Sequence, residues 1–186
     1  MKLTQIAKIT LASLSLIIAS CSEDKKETTQ STTPSETSSV SLNPYLLTEA
    51  PAGAVDIQDL RKTANPGDLV TISGKAIGKS QIFMKDRAVM VLGDPKKLTS
   101  CDLRPGDGCT IPWDVCCDLP KDIKDSIITV QIIDDAGKPL QASIKGLGGI
   151  KELSEVIITG EVAAGSNDQN MLVNATGIFV KNSTAE

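Results

Sequence analysis

Four of the five cysteines in this chain stand close together: Cys101, Cys109, Cys116 and Cys117, with seven, six and no residues between successive members. Sulfur at that density supports three kinds of chemistry. Two disulfides are the first. Four cysteines allow three connectivities, and a Cys116–Cys117 bond would be strained, so each of these two is expected to pair with Cys101 or Cys109. A metal held by four thiolates is the second. Structural zinc sites usually draw their ligands from paired CxxC knuckles, which this spacing lacks, so metal is the lesser expectation and, if bound, falls to the same Cys101, Cys109, Cys116 and Cys117. Copper(I) suits thiolates chemically as well. Thiol–disulfide exchange is the third, and the absence of CxxC counts against it. The chain has no histidine, which removes histidine acid–base catalysis, most zinc enzymes and histidine-ligated haem.

Other chemistry is thin. There is no GxSxG, and Lys145-Gly146-Leu147-Gly148-Gly149 lacks the GK[ST] ending of a phosphate loop, so it reads as a turn. Asp134-Asp135 suits the tip of a hairpin better than a cation site or an acid–base pair. No nucleophile and base lie near one another, so no catalytic residue and no cofactor are assigned and the expected role is non-enzymatic. Trp113, the only tryptophan, sits among the cysteines and is the candidate binding anchor.

The N-terminus supplies the compartment. Lys2 and Lys8 precede an apolar run from Ile9 to Ala19 without acidic residues, the layout of an export signal and too short for a stable span. Ile18-Ala19-Ser20-Cys21 resembles a bacterial lipobox, so residues 1–20 read as a lipoprotein signal peptide and Cys21 as the lipidated first residue of the mature chain. Acyl chains on Cys21 would anchor the protein to a bilayer without a transmembrane helix. Ser22 rather than Asp favours, by analogy with Gram-negative sorting, the outer membrane and its periplasmic face. Residues 21–50 then read as a disordered Ser/Thr-rich tether, with a coil reach on the order of 25 Å. In an exported chain, clustered cysteines are expected to be oxidised, so two disulfides building a rigid flap are the leading expectation for Cys101, Cys109, Cys116 and Cys117.

The residues that must position this flap alternate at the period of strands. Asp56 heads a short helical stretch with Ile57, Leu60 and Ala64 on one face, ended by Asn65-Pro66-Gly67. Strands are expected at Leu69–Lys79, Ala88–Leu92, Ile127–Ile133, Leu140–Ile144, Val156–Ala164 and Met171–Val180, with a hairpin loop at Asp134–Lys138. In the last strand the inward face changes phase at Gly177, which a β-bulge would explain. Gly74 and Gly160 sit in the middle of two similar strands, VTISGKA and VIITGEV, where glycine marks a sharp bend or a close backbone approach. Pro95–Ser126, holding all four clustered cysteines, is an insertion too long for a hairpin.

The order strand, strand, strand, short helix, hairpin, with VIITGEVAAGSNDQNMLVNATGIFV at its end, resembles an OB-fold of the anticodon-binding type over roughly Gly67 to Lys181. The resemblance implies an all-β domain over 51–186: a small OB-like five- to six-stranded barrel with short helical pieces and a disulfide-rich insertion at 95–126. More finely, the lipobox, the tether, PGDLVTISGKAIG, CDLRPGDGCTIPWDVCCD and LSEVIITGEVAAG resemble a family of uncharacterised bacterial lipoproteins with an OB-like domain. OB barrels that bind single strands stack bases on aromatic residues in a basic groove. Here the strands supply only Phe179, with Phe83 in a loop, and the chain carries a net charge of −4 that loss of Lys2 and Lys8 makes more negative. Nucleic acid is therefore a poor partner. The expected partners are the membrane, through the lipid anchor, and an envelope protein or saccharide on the barrel face or the flap. A metal-binding lipoprotein using the four cysteines is the alternative.

Overall fold

The structure, a computed structural model, describes residues 40–181. The expected signal peptide, Cys21 and the expected tether as far as residue 39 lie outside the described residues. Six strands form one sheet: β1 Val55–Asp56, β2 Leu69–Lys75, β3 Val89–Gly93, β4 Ile127–Gln131, β5 Glu155–Val162 and β6 Leu172–Val180. Five of them close on themselves in the order β2, β3, β4, β6, β5 and back to β2, which makes a barrel compatible with the OB-like fold. β2 and β5 pair antiparallel from Leu69↔Glu161 to Lys75↔Glu155. β6 lies antiparallel to β5 and parallel to β4, and the β2–β3 seam is a single pair, Lys75↔Gly93. β1 adds a two-residue parallel edge to β2.

Alternation decides which side chains fill the barrel. Ile72, Met90, Leu92, Ile128, Val130, Val156, Ile158, Val173 and Ile178 are fully buried in one cluster, and each such side chain contributes about 1.5–3 kcal/mol relative to exposure. The bulge expected near Gly177 is present: Thr159 pairs with Gly177 and Gly160 with Ala175, so Thr176 is the extra residue. Gly160 is there for the close approach this forces, since a Cβ on it would stand 2.3 Å from the Asn174 carbonyl oxygen. Gly74 makes room for helix α1, Ile57–Thr63, whose Ile57 Cδ1 would be 2.9 Å from an added Cβ.

Three expectations need correction. Leu140–Ile144 is not a strand. The Asp134–Lys138 turn forms, with the Asp134 N–H donating to Lys138 and Ile133 bridging Pro139, but ladder bonding stops after Leu140, whose N–H donates to Ile132 and whose carbonyl accepts from Ala88. Ile144 is buried and Gln141 and Ser143 are exposed, so the alternation was real without a partner strand to bond it. The tether boundary at 50 is also too late. Leu42 is buried in the core, Asn43–Tyr45 is a 3-10 turn, Leu46 bridges Ile178 of β6, and the Leu47 N–H donates to Ile178. Asp56 precedes α1 but makes no side-chain cap. Its carboxylate binds Lys96 Nζ at 2.8 Å, while the Gln58 N–H is capped from across the fold by Asp94 Oδ2 at 3.1 Å. Among the described residues no helix is long and apolar enough to cross a membrane.

Candidate functional site

The segment between β3 and β4 folds as a flap whose two ends are tied together, the Asp94 N–H donating to the Ser126 carbonyl at 2.9 Å. It carries a 3-10 turn at Cys101–Leu103 and helix α2 at Pro120–Asp125, where Pro occupies the first helical position. The flap has its own small apolar anchor, in which Leu98 and Val115 pack on Ile77 from the β2–β3 loop. Backbone pairing does the rest. Trp113 and Val115 exchange hydrogen bonds with Gly78, while the Cys101 and Asp102 N–H groups donate to Asp114 and Pro112 on the other side of the same stretch. Asp118 then clamps the two halves: its carboxylate accepts from the Thr99 N–H at 2.8 Å and from the Arg104 guanidinium.

These constraints bring the sulfurs together. Cys116 and Cys117 occupy the centre of a turn closed by the Asp118 N–H on the Val115 carbonyl at 3.0 Å, so two adjacent side chains serve one site. Cys116 Sγ lies 4.0 Å from Cys101 Sγ and 3.9 Å from Cys117 Sγ, and the three sulfurs are all within 4.8 Å of one another. Cys109, half-buried, donates to the Ile111 carbonyl at 3.5 Å and neighbours the group. The disulfides expected of Cys101, Cys109, Cys116 and Cys117 are not formed: all four are free, and the measured sulfur pairs stand at about twice the 2.05 Å of an S–S bond. The Cys101 thiol is pushed well up by hydrogen bonding with Cys109, by burial and by Cys116. The Cys116 thiol is pushed up by hydrogen bonding with Cys117 and by burial, with the Asp114 carboxylate adding to it.

Trp113 is half-buried beside this cluster and its indole Nε1 donates to the Ser80 carbonyl at 3.2 Å. It forms one wall of a groove of about 240 Å³, with Phe83 and Met84 of the β2–β3 loop and Lys145 and Glu152 of the β4–β5 connection. Lys145 Nζ binds Glu152 Oε1 at 2.6 Å and stands 6.0 Å from the centre of the Phe83 ring. Trp113 and Phe83 both line this groove, Phe83 from the core with only 9% of its surface exposed, and the rim carries Lys85 and Lys145 against Glu152. A larger cleft of about 490 Å³ opens between α1, α2 and the β5–β6 loop. It has no aromatic wall, and three of its four cations are engaged, Arg61 with the Ile127 and Asp168 carbonyls, Lys62 with Asp59 and Lys121 with Asp125, which leaves Lys124. The smaller groove is the better ligand site.

No protein-family model, curated protein or solved structure matches this chain. What it does must be argued from its own residues. Sequence reasoning singled out the four cysteines and Trp113, and the structure brings them into one flap. It missed Phe83 as a wall of the groove, the Lys145–Glu152 rim, and the Asp94 and Asp118 carboxylates that hold the flap.

Proposed function

We propose that this chain is a lipid-anchored lipoprotein of the cell envelope, held at the outer membrane through Cys21 and facing the periplasm, whose OB-like barrel is a non-enzymatic binding module. The observation that carries the binding role is the Phe83–Trp113 groove. A saccharide of the envelope suits it: the ring face of a sugar packs on the half-buried Trp113, and its hydroxyls need polar groups such as Glu152, Lys145 and the nearby Ser80 and Ser143. The acidic chain gives a polyanion such as nucleic acid little to hold. The lipobox around Cys21, followed by a Ser/Thr-rich spacer, supports the anchor.

The test uses Trp113, the single tryptophan, as the reporter. Peptidoglycan and lipopolysaccharide-core oligosaccharides added to the full chain should shift its emission saturably, and Lys145→Ala should weaken that response. Emission unmoved by either class of saccharide refutes the groove. Radiolabelled palmitate should enter the wild-type chain and not Cys21→Ser; equal labelling of the two, or none in either, refutes the anchor.

A further inference from the structure

We infer that Cys101, Cys116 and Cys117, with Cys109 as the fourth ligand, form a tetrathiolate centre for one Zn²⁺ ion that staples the flap shut. The distances favour a shared ion over paired bonds. At a zinc–sulfur distance of 2.3 Å the edge of a tetrahedron is about 3.8 Å, and the two measured edges, Cys101–Cys116 and Cys116–Cys117, are 4.0 and 3.9 Å. Cys116 is common to both. A disulfide joins two sulfurs and leaves a third outside, whereas a hub with several sulfur neighbours is what a central cation produces. The third edge, Cys101 to Cys117, is within 4.8 Å, so a contraction of at most about 1 Å around an ion completes the face. Cys109 reaches the fourth vertex when its Sγ turns from the Ile111 carbonyl toward Cys101 and Cys116, which it already neighbours.

Charge is a cost of the site. Exchanging four thiol protons for one Zn²⁺ leaves two net negative charges near Asp114, whose Oδ1 is buried without a hydrogen-bond partner. Lys75 stands 3.8 Å from Asp102 and 3.4 Å from Ser100 Oγ, and Arg104 holds Asp118. Binding breaks four S–H bonds, passes the protons to solvent and forms four Zn–S bonds, with no electron transferred. Four protein ligands leave no open position, so the ion is structural.

The full chain, purified in detergent with its thiols reduced and metal removed, is titrated with Co²⁺ as an optical probe and then with Zn²⁺. One equivalent of Co²⁺ should produce thiolate-to-metal charge transfer and the visible bands of a tetrahedral site, and one equivalent of Zn²⁺ should erase both. Cys116→Ser should weaken binding at least about tenfold, a lower bound taken from what losing a group that merely orients a metal ligand costs. Cys117→Ser, at an exposed turn position that the fold does not need, should do the same with barrel circular dichroism unchanged. Absence of the charge-transfer band while all thiols titrate as free, an unweakened band in both variants, or a chain that leaves the envelope with two disulfides and no metal each overturns the inference. None of these readouts depends on a saccharide, so the groove and the metal centre fail separately.

Discussion

Replacing Asp94 by alanine should cost this domain a large part of its stability, and the cost can be worked from two bonds. Asp94 is fully buried at the point where β3 ends and the flap begins. Its Oδ2 accepts from the Gln58 N–H at 3.1 Å and its Oδ1 from the Lys96 N–H at 2.9 Å. The first supplies the missing cap of α1 and the second closes the turn into the flap. Hydrogen bonds to a charged acceptor contribute about 1.5–3 kcal/mol each. Lys96 is exposed, so water replaces much of its bond, whereas Gln58 is half-buried and loses more. The sum is about 2–4 kcal/mol, against a total of about 5–15 kcal/mol for a typical domain. Asp94→Asn keeps one acceptor oxygen and should cost about half as much. Urea unfolding of the full chain, followed by Trp113 emission in the flap and by far-ultraviolet circular dichroism of the barrel, measures both. An Asp94→Ala midpoint within about 0.5 kcal/mol of wild type, the ordinary range for an inert surface change, would refute the reasoning that this carboxylate joins α1 to the flap.

Gly160→Ala places a methyl 2.3 Å from the Asn174 carbonyl oxygen, so the β5–β6 bulge must open and stability should fall by at least about 2 kcal/mol; Gly165→Ala, with nothing within 4 Å, should be neutral or stabilising by up to about 1 kcal/mol, and equal unfolding midpoints for the two variants would refute the close-approach reading. Lys121, by hydrogen bond, holds the Asp125 carboxyl below the ordinary value of 3.8. A carboxyl lowered on folding contributes stability above its unfolded pKa, lost as pH falls through the folded one. The difference between wild type and Lys121→Met should therefore be present at neutral pH and vanish in acid, and a difference that persists unchanged below the Asp125 titration in a pH series of unfolding midpoints would refute the pairing.

How far the sequence could be read follows from which contacts are local. The barrel strands announce themselves because burial alternates residue by residue, and the phase change beside Gly177 survives as the bulge at Thr176. Leu140–Ile144 shows the limit of that signal: alternation reports which side chains face inward, not whether a neighbouring backbone is there to bond, and Pro139 brings no N–H to the ladder. Leu42 and Leu46 were hidden by their company, two leucines after a polar run, and only the β6 edge they dock on makes them part of the domain.

The convergence of the cysteines was hidden for a subtler reason. Spacing rules for zinc sites assume that two ligands come from one CxxC knuckle, where a turn aims both sulfurs at one point. Cys116-Cys117 has no residues between, which in a strand would send the two side chains to opposite faces. Here they are the central pair of the Val115–Asp118 turn, so the turn converges them as a knuckle would. Cys101 joins from fifteen residues away because its N–H pairs with Asp114 and because Asp118 grips both Thr99 and Arg104. None of those partners is marked in the sequence as part of a sulfur site. Every one is a backbone bond or an acidic side chain in a stretch that reads as solvated turn, and the convergence exists only once the flap has folded back on Gly78.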